Sequence, residues 1–163
     1  MVKFQNYDIV FMEIPKKVSL AINISNCQNN CKKCHSPQLR HDIGKELNIL
    51  TIDNLLKNNL GIECVIFMGE GNDLNSLLDL SRYIRLKGIL TALYSGRNIV
   101  EEEIYLNFNY VKIGSYIQEL GPINKKNTNQ RLYKILLNNN IIEKIDITYK
   151  LWKESNKEDK VFS

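Results

Sequence analysis

A chain of 163 residues with 44% hydrophobic content is the length of one ordinary domain and can bury a core without disulfide staples. Its net charge of +4, from 22 Lys and Arg against 18 Asp and Glu scattered along the chain, argues against nucleic acid as a partner. Short pairs such as Lys16-Lys17, Lys32-Lys33 and Lys125-Lys126 fit solvated loops instead. No apolar run approaches the roughly 18 residues of a membrane span, and the first residues lack both an apolar core and a small-residue cleavage site, so a cytoplasmic protein with no membrane partner is expected.

Val18 to Ser25 alternates apolar and polar residues as a strand does, and it runs straight into a loop that holds three of the four cysteines. After Leu50, "TIDNLLKNN" predicts a short helix with Thr51 as its N-cap. Ile62 to Met68 is a near-continuous apolar run of strand length that ends at the turn signal "GEGND". Helical spacing follows in "DLNSLLDLSRYIRLKG", where Leu74, Leu77, Leu78, Ser81, Ile84 and Arg85 fall three and four apart and Gly88 marks the stop. "ILTALYS" predicts a third strand, "RNIVEEEIYL" a short helix and "NYVKIGSY" a fourth strand. Beyond a loop rich in Gly, Pro and Asn, "RLYKILL" and "IIEKIDITYKLW", separated by Asn138 to Asn140, predict an antiparallel hairpin added to the sheet. Residues 1–152 form the expected single domain, and 153–163 a charged, disordered tail.

Strands alternating with helices imply a mainly parallel α/β sheet. Four or five such units are too few to close an eight-stranded barrel, which takes about 250 residues. The sheet is therefore expected to stay open, as a partial (β/α) barrel or a doubly wound layer, with the C-terminal β-hairpin at its edge. In such sheets function gathers at the carboxyl ends of the strands. The cysteine loop, "GEGND" and "YSGR" leave three successive strands at that end.

The cysteines Cys27, Cys31 and Cys34 are spaced CxxxCxxC. In a reducing compartment, so tight a cluster points to metal binding rather than to disulfides. Structural zinc usually takes four ligands in two separated pairs, whereas here there is one triplet. His35 directly follows Cys34, and adjacent ligands rarely reach one zinc comfortably. Cys64 lies inside an apolar run and is expected to be a buried, inert thiol. A cubane 4Fe-4S cluster fits better, because three thiolates from one loop leave the fourth iron open to a ligand that is not protein.

CxxxCxxC in the loop after a first strand of a βα frame resembles the radical SAM enzymes, in which the open iron is chelated by S-adenosyl-L-methionine. The turn "MGEG", with Gly69 and Glu70, is similar to the family's glycine-rich turn after the second strand, whose carbonyls or carboxylate hold the ammonium of the cofactor. Family members commonly carry an aromatic residue just before the third cysteine, beside the adenine, and Lys33 occupies that position here. "CHSP", "LYSGR" and above all "VKIGSYIQELGPINKKNTNQRLYKI" followed by "DITYKLW" resemble the activating proteins of anaerobic ribonucleoside-triphosphate reductase, from about Val18 to Trp152.

That resemblance implies a radical SAM fold and an oxidoreductase chemistry. A reduced cluster splits the sulfonium, and the 5'-deoxyadenosyl radical takes a hydrogen atom from a glycine of the reductase, leaving a stored glycyl radical. It implies two partners, the large catalytic subunit of that reductase and an electron donor such as flavodoxin or ferredoxin. No catalytic residue is expected beyond the cluster ligands Cys27, Cys31 and Cys34. The cofactor contacts are expected from Lys33, Gly69, Glu70, Ser95 and Lys112, the last paired with the cofactor carboxylate. Gly96 lines the ribose or methionine, or simply a turn. His35 shields the cluster or has a structural partner; Asn129, Gln130 and Arg131 brace the site, contact the partner or open the hairpin. Tyr116, Tyr133 and Trp152 are expected to pack. Two other readings remain: an activase of another glycyl radical enzyme or a small-molecule radical SAM enzyme, and, from a different class, a non-catalytic zinc-binding module.

Overall fold

The computed structural model describes residues 1–28 and 37–152. Within them the chain forms one eight-stranded mixed sheet that does not close, with helices packed against it. The strands are β1 (Lys3–Val10), β2 (Ser19–Ile24), β3 (Lys45–Glu46), β4 (Cys64–Met68), β5 (Leu90–Tyr94), β6 (Tyr110–Ile113), β7 (Arg131–Asn138) and β8 (Ile141–Asp146). The helices are α1 (Ile49–Asn58), α2 (Leu74–Leu86) and α3 (Glu102–Asn107).

The strand order is β3-β1-β2-β4-β5-β6-β7-β8. β2, β4, β5 and β6 are parallel, while β1, β7 and β8 each run antiparallel to their neighbours. Three parallel crossovers that all advance in one direction, each right-handed, place their helices on one side. Ile52 of α1, Leu77 and Ile84 of α2 and Ile104 of α3 accordingly share a core with Leu20, Ile22, Val65, Phe67, Leu93 and Val111 of the strands. The opposite face carries Ala21, Cys64, Ile66, Ala92, Tyr94 and Tyr110, covered by Ile14, Ile147 and Leu151. Of the two open architectures expected, the doubly wound layer does not fit, because no described α-helix packs on that second face. Both faces being buried explains why "CVIFM" reads as an unbroken apolar run.

Several local expectations are corrected. The N-cap of α1 is Asn48, not Thr51: Asn48 Oδ1 accepts from both the Thr51 amide at 2.9 Å and its hydroxyl at 3.0 Å. Thr51 sits three residues inside, where it serves as the donor. The third helix begins at Glu102 rather than Arg97, because residues 95–98 are held by side-chain and turn contacts at the strand ends. The last strand stops at Asp146, and Thr148–Leu151 turns into a short 3-10 helix that packs on the second face. β1 and β3 have no counterpart in the sequence reading. The two-residue hairpin turn is Asn139-Asn140, with φ of 50° and 64°. Among the described residues no helix is long and apolar enough to cross a membrane. The tail 153–163 lies outside the described residues.

Candidate functional site

The parallel register aligns Asn23, Met68, Tyr94 and Lys112 across β2, β4, β5 and β6. The four loops that follow these residues meet on one rim. From β2 come Ser25, Asn26 and Cys27; from β4 Gly69, Glu70 and Gly71; from β5 Ser95, Gly96 and Arg97; from β6 Gly114 and Ser115.

Backbone hydrogen bonds tie these loops together. The Gly69 amide donates to Tyr94 O at 2.9 Å, the Ser95 amide to Lys112 O at 2.8 Å and the Gly114 amide to Arg97 O at 2.7 Å. On the β2 side, the Ser25 amide donates to Lys3 O and the Cys27 amide to Leu39 O, at 2.9 and 2.8 Å. The base of the cysteine loop is thereby anchored to β1 and to the segment after residue 36. The turn after β4 needs glycine at Gly71, whose φ is +66° and where a Cβ would stand 3.0 Å from Ile24 Cγ2 and 3.2 Å from Ser25 O. Only a bare backbone lets that turn lie against the start of the cysteine loop.

A cleft of about 290 Å³ opens between the two loops, lined by Cys27, Gly71, Leu74, Glu70, Arg97 and Glu101 among others. Cys27, partly exposed, stands at its wall. Glu70 Oε1 accepts from Ser95 Oγ at 2.7 Å and from Arg97 Nε at 2.6 Å. Glu70 Oε2 is buried and has no hydrogen-bond partner among the described residues. Arg97 also donates through Nη1 and Nη2 to the two oxygens of Glu101, at 2.9 and 2.7 Å. These hydrogen bonds hold the Glu101 carboxyl well below its usual range, at about 2, and push the guanidinium further up.

The structure therefore brings Cys27, Gly69, Glu70 and Ser95 together. Lys112 stands in the row beneath the rim, only 8% exposed. Its Nζ donates to Gly114 O at 3.1 Å and Gln130 Oε1 at 2.8 Å and lies 5.8 Å from the centre of the Tyr94 ring. Gln130 thus braces the end of β6, as does Asn129, whose side chain donates to Ser115 O at 3.0 Å. Cys31, Lys33, Cys34 and His35 lie outside the described residues, so one thiol of the triplet is seen, and among the described residues no group of three His, Cys, Asp or Glu converges as a metal site.

Cys64 starts β4, at the end of the strand opposite the cysteine loop, and is fully buried. Burial pushes its thiol up to about 12. It is no fourth ligand for that loop. Arg97 and Glu101 were not singled out from the sequence, although their spacing of four residues was a visible signal. Their link to Glu70, 27 residues earlier, has no sequence signature.

No protein-family model matches this chain, and no curated protein matches it.

Proposed function

We propose that this chain is a radical SAM activase that generates a glycyl radical on anaerobic ribonucleoside-triphosphate reductase. The observation that carries the reading is the cleft: the first cysteine of a CxxxCxxC loop lines it together with Glu70, one of whose carboxylate oxygens is buried and, among the described residues, unpartnered. An orphaned carboxylate oxygen is costly unless a donor fills the place, and an ammonium group is the donor that suits it. The one-sided open sheet also suits the partial barrel of that family, with the hairpin β7–β8 at its edge.

The residues present fit the implied groups. Cys27, with Cys31 and Cys34 of the same loop, would hold a 4Fe-4S cluster as thiolates, and Glu70 would receive the ammonium of S-adenosyl-L-methionine on Oε2. Bound there, the reduced cluster and S-adenosyl-L-methionine would supply radical chemistry able to remove a hydrogen atom from a glycine of the reductase. The chain's own residues bind and orient. Ser95 and Arg97 occupy Glu70 Oε1, which leaves Oε2 as the oxygen that would take the cation. Lys112 is the proposed partner of the cofactor carboxylate, and Lys33 the proposed neighbour of its adenine. Both partners named by the resemblance, the reductase subunit and a flavodoxin or ferredoxin, belong to this proposal, as does a cytoplasmic location.

The test is anaerobic reconstitution with iron and sulfide, reduction, and addition of S-adenosylmethionine. Release of 5'-deoxyadenosine, with a cluster resonance that changes on cofactor addition, is expected. Cys27→Ala is expected to lose most of the iron and all of the cleavage. A colourless protein that takes up zinc and releases no 5'-deoxyadenosine would replace this reading with the zinc-binding module. Cleavage without radical formation on the reductase subunit would move it to another substrate.

A further inference from the structure

Arg97 stands between two carboxylates, and the three groups are not arranged as a simple surface ion pair. Its Nη1 and Nη2 grip both oxygens of Glu101, while Nε turns sideways to a single oxygen of Glu70. A guanidinium is a rigid planar fork, so a bidentate grip at one end fixes the direction of the donor at the other. Glu101 immediately precedes α3, which anchors the fork to the frame.

Ser95 Oγ approaches the same Glu70 oxygen, and its own position is fixed because it also accepts from the Arg97 amide at 3.0 Å. Both donors therefore act on Oε1, and among the described residues Oε2 is left buried and without a partner. A salt bridge serving stability alone would satisfy both oxygens, since buried polar atoms are nearly always paired. Among the described residues that line the cleft, two carboxylates against one guanidinium leave one net negative charge. A cation is the group that balances it.

We propose that Arg97 is a positioning residue: held by Glu101, it locks Glu70 so that Oε2 is presented to the cationic end of the molecule in the cleft. The assignment rests on the reading that the cleft takes S-adenosylmethionine, and it adds the pair that keeps the acceptor aimed.

The test compares wild type, Arg97→Met, Arg97→Lys, Glu70→Gln and the double variant Arg97→Met with Glu70→Gln. Each is reconstituted anaerobically and assayed for iron, for thermal midpoint and for S-adenosylmethionine retention by equilibrium dialysis. Arg97→Met is expected to weaken retention about tenfold, the size of one charge-assisted hydrogen bond, with iron content unchanged. Arg97→Lys, which keeps the charge without the fork, is expected to recover part of that loss. In the Glu70→Gln background the same Arg97→Met change is expected to shift retention by less than about twofold, because residues acting through one another are non-additive. Glu101→Gln, a change at a half-exposed side chain, is expected to weaken retention in the same direction and by less.

Unchanged retention in Arg97→Met, or an equal loss in both backgrounds, would overturn the assignment while leaving the cleft's ligand in place. Wild type with a full iron content that retains no S-adenosylmethionine would overturn the reading of the cleft, and this assignment with it.

Discussion

Cys64 is fully enclosed at the start of β4 with its thiol pushed up to about 12, so at pH 8 the native protein should leave it unmodified by iodoacetamide until the chain is unfolded. Peptide mass spectrometry checks this, and alkylation of Cys64 before unfolding would contradict it. Gly71 is the tightest point of the rim. Gly71→Ala places a Cβ against Ile24 and Ser25 at a left-handed φ, and a cost of about 2 kcal/mol is expected, lowering the thermal midpoint by about 4–8 °C. Glu101 gives a pH dependence with a definite sign. Its carboxyl is held at about 2, below its ordinary 4.5, so the stability it adds is complete above 4.5 and is lost as pH falls from 4.5 through 2. The side chain is 48% exposed, which keeps the effect small. Urea titrations across that window should show a shallower slope in Glu101→Gln than in wild type. Of this residue-level detail, the cysteine spacing and the glycine turn were legible in the sequence. The orphaned Glu70 oxygen was not, because it depends on side chains from two loops far apart in sequence.

At the scale of elements, the hairpin between β7 and β8 is the simplest case. Asn139 and Asn140 both hold positive φ, the geometry of a type I′ turn, in which Asn-Gly is the preferred pair. Asn140→Gly is expected to stabilise the chain by about 0.5 kcal/mol and Asn140→Val to destabilise it, both measurable by chemical denaturation. The hairpin was legible because turn chemistry is local. β1 was not: of its eight residues only Phe4 is buried, and the strand lies where one face meets solvent, so it carries no alternating apolar signal. The boundary of α3 was misplaced for a related reason. The stretch from Arg97 to Glu101 has its two charges at helical spacing, yet they are spent on the rim, and the helix starts only after them.

Across the whole molecule, the parallel strands β2, β4, β5 and β6 form the centre of the sheet and the antiparallel strands its flanks. Val65, Ile66 and Phe67 of β4 are fully buried, whereas β8 is an outer strand with mostly exposed residues. Hydrogen exchange should therefore be slowest in β4 and β5 and fastest in β3 and β8; slow exchange in β8 would mean that its outer edge is covered in solution. The alternation of strands and helices made the open α/β sheet legible in advance, while the side on which the helices lie follows from crossover handedness. Gly71 lies against Ile24 and Ser25 with no room for a side chain. The turn that carries Glu70 and the start of the cysteine loop are thus in close contact, and occupancy of either is expected to restrain the other. By thermodynamic reciprocity, whatever factor a filled cysteine loop adds to affinity at Glu70, a ligand on Glu70 returns to the cysteine loop.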